Sequence, residues 1–251
     1  MLEQILKQKE QEIQLLLSKH TKKQPAITVK RPSLIKAFQE RSFNVIAEIK
    51  RKSPSAGTLA TIRDPVALAI QYEAGGACGI SVLTDQHFFN GPIEDLKKVS
   101  QAVDVPILRK DFIIHPMQIE ETVQAGASAV LLIVAALGDQ TNEMLKKVHE
   151  AGLEALVEIH NKEELEIALK ANARLIGVNS RNLKTMKVNL ATAEDLIKAI
   201  PDHIIKIAES GIHSIDDAKR MKNAGYQGVL VGEMLVRSLT PATIIHQMRK
   251  L

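Results

Sequence analysis

The stretch SAVLLIVAAL, Ser128 to Leu137, is apolar at nearly every position, and GVLVG, Gly228 to Gly232, repeats the habit far downstream. Alternation would mark a strand with one wet face. A run that is apolar throughout marks a strand covered on both faces. The longest such run, Ala127 to Leu137, is about half the ~20 residues a bilayer requires, so it belongs to a core and not to a membrane. Similar runs begin near Val45, Cys78, Val105, Ala129, Leu153, Leu175, Ile204 and Gly228. Successive starts lie roughly 22 to 33 residues apart, the size of a strand–helix unit. A helix between consecutive strands carries the chain back, so the strands are expected to run parallel.

Local punctuation supports this reading. Ala74-Gly75, Ala125-Gly126, Ala151-Gly152 and Ala224-Gly225 each close a helical pattern before a strand, where glycine can adopt the left-handed turn that ends a helix. Asp64-Pro65 and Thr240-Pro241 place a capping side chain before a proline at the first helical position. Eight right-handed units can close into an α/β (β/α)8 barrel, a TIM barrel. The rival, a doubly wound sheet, usually carries G-x-G-x-x-G after its first strand, and the chain has none. The expectation is one barrel domain over 1–251, with 1–44 an N-terminal helical extension. Its stripe of Leu2, Ile5, Leu6, Ile13, Leu16 and Leu17 would pack on the barrel. The same segment could also cover the mouth.

Composition narrows the function. The chain has 251 residues, 45% hydrophobic and 25% charged, as in ordinary globular proteins. A single cysteine, Cys78, excludes an intramolecular disulfide and any multi-cysteine zinc site, and it favours a reducing compartment. Net charge is +4 with acids and bases interspersed, which suits an anionic small molecule better than nucleic acid. The N-terminus mixes charges into its apolar positions, so the reading is cytoplasmic, with no membrane partner.

In a barrel of this kind chemistry lies at the carboxyl ends of the strands. The first run ends with Glu48 and Lys50, which share a face with Ile46. The third ends in Arg109-Lys110, the fifth in Glu158, the sixth in Asn179, the seventh in Glu209-Ser210 and the eighth in Gly232-Glu233. Any one of these alone reads as a strand-end charge reaching water. Together they converge on one mouth, where pairing shifts proton affinities. Ser210-Gly211 and Gly232-Glu233 form corners of the kind that hold phosphate on backbone N–H groups, with KRKSPSAG (Lys50–Gly57) nearby; two tight turns and a solvated basic loop are the plain alternative. Phe88, Phe89 and Phe112 follow strands two and three and could bound a flat apolar group. His87, His115, His160 and His213 show no metal-ligand spacing and read as loop or helix-end residues. Lys206 has the look of a Schiff-base lysine but stands on the face opposite Glu209.

These residues carry a resemblance. AEIKRKSPSAG (Ala47–Gly57), SVLTDQHFFNG (Ser81–Gly91), LRKDFI (Leu108–Ile113), LVEIH (Leu156–His160), GVNSRNL (Gly177–Leu183), AESGI (Ala208–Ile212) and LVGEML (Leu230–Leu235) resemble the indole-3-glycerol phosphate synthases, in order and at barrel spacing, over about residues 30 to 240. The resemblance implies ring closure, decarboxylation and dehydration of 1-(2-carboxyphenylamino)-1-deoxyribulose 5-phosphate in tryptophan biosynthesis, without cofactor or metal. It implies an acid–base group of Glu48, Lys50, Lys110, Glu158, Asn179 and Glu209. Ser53, Ser210, Gly211, Gly232 and Glu233 would bind substrate at its phosphate, with Arg181 a further contact and Phe112 a pocket wall. A monomer or weak homodimer is expected. The chain departs from the family pattern at Gly91-Pro92 and at Met186, where an aromatic is common.

Two other readings rank lower. Phosphoribosylanthranilate isomerase chemistry would need a cysteine near the end of strand one, but Cys78 opens strand two. An RNA-binding barrel is suggested only by the sequence pI near 9.0, and dispersed charge with few aromatics argues against it.

Overall fold

The computed structural model of the protein describes residues 1–19, 32–183 and 185–251. Its strands are β1 (Asn44–Ile49), β2 (Gly79–Leu83), β3 (Ile107–Lys110), β4 (Ala129–Ile133), β5 (Glu154–Ile159), β6 (Leu175–Asn179), β7 (Ile205–Glu209) and β8 (Gly228–Val231). They pair in parallel with their chain neighbours, and β8 returns to β1, closing the barrel. Each apolar run of the sequence is one strand. Ile46, Leu108, Leu131, Leu156, Ile207 and Leu230 fill the interior. The alternate positions, among them Val45, Val82, Val130, Val157 and Val229, pack against the outer helices. Burial on both faces is why these strands read as unbroken apolar runs.

Most of the punctuation holds. The Asp64 side chain accepts from the Val66 and Ala67 N–H groups, with Pro65 opening the helix Pro65–Ala74. Thr240 makes no such bond, although Pro241 does open Pro241–Met248. Gly126, Gly152 and Gly225 turn at φ 82°, 74° and 107°. Gly75 does not, at φ −69°; its neighbour Gly76 makes the turn at 87°. Gly75 instead lies so close to the Ala242 backbone that a Cβ would stand 2.7 Å from its carbonyl oxygen, so its missing side chain permits helix-to-helix approach.

The N-terminal extension touches both ends of the barrel. Helix α1 (Leu2–Lys19) lies across the carboxyl ends of the strands, with Met1, Leu2 and Ile5 at the mouth. Ile5 and Ile13 are buried, but Leu17 is 40% exposed and so leaves the expected stripe. Helix α2 (Leu34–Gln39) packs across the amino ends. Ser33 caps it, and Glu154 at the start of β5 accepts from the Leu34 and Ile35 N–H groups at 2.6 and 3.0 Å. The part of the expected extension over 20–31 lies outside the described residues. Among the described residues, no helix is long and apolar enough to cross a membrane.

Candidate active site

All thirteen residues that the resemblance implies for the site border one cleft at the carboxyl end of the barrel, of about 1100 Å³ with its open mouth included. Its floor has a simple origin. Glu48, Lys110, Glu158 and Glu209 are inward-facing positions at the ends of β1, β3, β5 and β7. Alternate strands of such a barrel contribute side chains to a common layer, so one cation meets three carboxylates. The Lys110 Nζ lies 3.2 Å from Glu209 Oε2 and 3.4 Å from Glu158 Oε2. At the rim, Lys50 Nζ pairs with Glu48 Oε1 at 2.7 Å. Asn179 Oδ1 accepts from the Arg181 N–H at 2.9 Å.

Proton affinities in this layer diverge. Burial alone would lower the Lys110 pKa, but Glu209, Glu158 and Glu48 together raise it above its ordinary value, so the ammonium is held charged. For Glu158, burial opposes ionisation, and Lys110, His160 and Asn179 overcome it, holding the carboxyl well below its usual range. Glu209 goes the other way. Burial, with Glu158 and Glu48 nearby, outweighs the attraction of Lys110 and pushes it up to about 7. Two carboxyls about one ammonium are thereby set apart, one ionised and one able to exchange a proton near neutrality.

Two glycines make the room. A Cβ on Gly177 would overlap Glu209 Oε1, and one on Gly232 would overlap Glu48 Oε1. Glu48 Oε2 and Glu209 Oε1 are buried without a hydrogen-bond partner, leaving each carboxylate an acceptor in reserve.

The two sides of the cleft differ in chemistry. Phe89 and Phe112, with ring centroids 6.4 Å apart, join Leu131 and Ile133 in an apolar wall. Phe88 does not border the cleft and packs on the inner cluster instead. Opposite stand Ser53, Arg181, Ser210-Gly211 and Gly232-Glu233. Ser210 and Gly211 both take positive φ, 62° and 84°, which turns the chain sharply from β7 toward the helix Ile215–Ala224 and exposes backbone at the cleft. Arg181 Nη1 donates to Ser55 Oγ and to the Met186 carbonyl, both at 3.1 Å, tying the loop after β1 to the loop after β6. Met186, the departure from the family pattern, sits at φ 61°, a left-handed conformation unusual for a long side chain.

Sequence reasoning grouped Arg109 with Lys110 at the mouth and missed the parts played by Lys9 and His160. Arg109 faces outward and is spent on Thr84, Thr122, Asp111 and Glu121 at 2.6–3.1 Å. Lys206 also faces outward, as read, pairing with Asp202 at 3.0 Å. Lys9 of α1 is buried at the mouth, 3.0 Å from Asp85 and 2.9 Å from Asp111. Its signal was present: Ile5, Lys9 and Ile13 recur every fourth residue, so the lysine stands on the buried face. His160 touches Glu158 from outside the cleft. His115 caps the helix Pro116–Gln124, as a helix-end histidine should.

Comparison with known proteins agrees with the geometry. The family model described as indole-3-glycerol phosphate synthase matches residues 2–248. An indole-3-glycerol phosphate synthase of Kineococcus radiotolerans is 52% identical over 204 residues, covering 81% of this chain and 74% of its own. One from Nocardioides sp. is 49% identical over 215 residues, covering 84% and 82%. Among solved structures, thiamine phosphate pyrophosphorylase from Pyrococcus furiosus aligns with TM-score 0.60 at 17% identity, over 85% of this chain and 96% of its own. KGPDC from Streptococcus mutans aligns with TM-score 0.63 at 13% identity, over 84% and 97%. These last two share the barrel alone. With the family model spanning nearly its whole length and relatives at about half identity, the chain belongs to the indole-3-glycerol phosphate synthase family.

Proposed function

We propose that the cleft performs the family's carboxy-lyase reaction, converting 1-(2-carboxyphenylamino)-1-deoxyribulose 5-phosphate to indole-3-glycerol phosphate, CO2 and water, with the cleft residues in the following roles. The phosphate sits at Ser53, Ser210-Gly211 and Gly232-Glu233, helped by Arg181. The carboxyphenyl ring lies on Phe112 and Phe89. This orientation brings the ketone of the sugar chain over Lys110.

Ring closure needs a proton, or a positive charge, at the ketone oxygen while the aromatic carbon bearing the carboxylate attacks the ketone carbon. Lys110 supplies it, because three carboxylates keep it cationic. The bond to the carboxylate then breaks, and its electron pair restores the aromatic ring as CO2 leaves. Dehydration follows, with an acid for the departing hydroxyl and a base for the proton lost from the new ring. Glu158, Glu209 and the Glu48–Lys50 pair supply that acid and base, and Asn179 orients Glu158.

The observation that carries this reading is the Lys110 ammonium 3.2 and 3.4 Å from two carboxylates, on the floor between an apolar wall and a phosphate-sized corner. The test is to incubate the protein with the carboxyphenylamino-deoxyribulose phosphate and follow indole fluorescence and CO2. The chain contains no tryptophan, so the background is low. One CO2 per indole is expected. Indole without CO2, or neither, rejects the assignment.

A further inference from the structure

Glu158 touches two cations, and only one belongs to the cleft. The other is His160, two residues on, whose Nε2 lies 3.3 Å from Glu158 Oε1 and whose Nδ1 lies 3.0 Å from Glu164 Oε2. The Nε2 contact is an ion pair without hydrogen-bond alignment. Glu164 is itself pinned. It stands in the first turn of the helix Lys162–Lys170 and accepts from the His160 backbone N–H and from the Asn161 amide, both at 2.8 Å.

An imidazole set between two carboxylates attracts both only as the cation, with both nitrogens protonated. The charged groups facing it are Glu158 from β5 and Glu164 from the following helix. Burial opposes the cation, but these two carboxylates prevail and push the imidazole up to about 10. Glu164, His160, Glu158, Lys110 and Glu209 thus form a chain of alternating charge from the rim to the floor of the barrel.

We propose that His160 is a positioning residue: anchored on Glu164 as an imidazolium, it holds the Glu158 carboxylate turned toward Lys110. This rests on the reading of Glu158 as part of the acid–base group. The histidine meets no reacting atom, since it does not border the cleft. Its effect passes through the orientation and charge of Glu158. The phosphate corner lies on other strands and is left alone, so a change at His160 should register in kcat and spare KM.

Two measurements test it. In protein labelled with 15N-histidine, one of the eight imidazoles should stay doubly protonated up to about pH 9, and Glu164→Gln should shift that signal and identify it. A His160 imidazole that is neutral at pH 7.5 overturns the proposal, whatever any variant does. His160→Gln should lower kcat about 10-fold with KM within about twofold, at a melting temperature close to the parent's. The loss should vanish in the Glu158→Gln background, because both changes remove one linkage. Equal losses in both backgrounds would reject positioning through Glu158. Should His160→Gln fail to fold, the protonation state in the unaltered protein still decides. Should Glu158→Gln turn over at the parental rate, it is the role of Glu158 that fails, and the imidazole signal stands apart from that result.

Discussion

The proposed mechanism turns on Lys110. Alanine there removes the cation shared by Glu158 and Glu209, and a proton is then expected to settle between the two carboxyls. Turnover is expected to fall at least ~100-fold, about 2.7 kcal/mol of barrier, the scale of a lost general acid. Steady-state kinetics beside a circular-dichroism check of folding would decide; a near-parental rate removes Lys110 from the mechanism. The floor residues were legible because each is a polar end on an apolar run. Gly177 was not, since its contribution is the absence of a side chain beside Glu209. His160 was not either: its significance lies in two carboxylates, one two residues back at the end of β5 and one a helical turn onward, a spacing that matches no metal or nucleophile pattern.

Among the elements, α1 was legible as an amphipathic helix, with cover of the mouth as a second reading, but its polar anchor was not. Its leucine and isoleucine stripe appears in the sequence, whereas the partners of Lys9 lie after β2 and β3, and only barrel closure gathers them. Lys9 is 2% exposed, so its ammonium is desolvated and compensated by Asp85, Asp111 and Glu12. Lys9→Met should therefore leave Asp85 buried without its cation and Asp111 with Arg109 alone, at a cost of roughly 3–5 kcal/mol of stability. Urea unfolding would measure it, and limited proteolysis should show α1 cut sooner. A loss below about 1 kcal/mol would mean that α1 is held by its apolar face alone.

On the scale of the molecule, the barrel order, the strand count and the site at the carboxyl ends all followed from repeat length and apolar run. The small hairpin of Lys52–Ser53 with Gly57–Thr58 did not, because runs of two residues carry no periodicity. A phosphate corner built on backbone should bind inorganic phosphate only in the folded state. At 100 times its Kd, phosphate would add ~2.7 kcal/mol, or roughly 5–10 °C in Tm for a chain of this size. It should also compete with the substrate. Protection that persists after Ser53, Gly211 and Gly232 are all altered would place the anion elsewhere.

The segment synthesised before the barrel's strands is thus the one that packs at both of its ends. Leu34 waits for Glu154, a separation of 120 residues, and at 5–20 residues per second that is about 6–24 s of synthesis. Until the strands are complete, Leu34, Ile35 and Phe38 lack much of the inner cluster they bury against, and the nascent chain carries an apolar segment suited to capture by a holding chaperone.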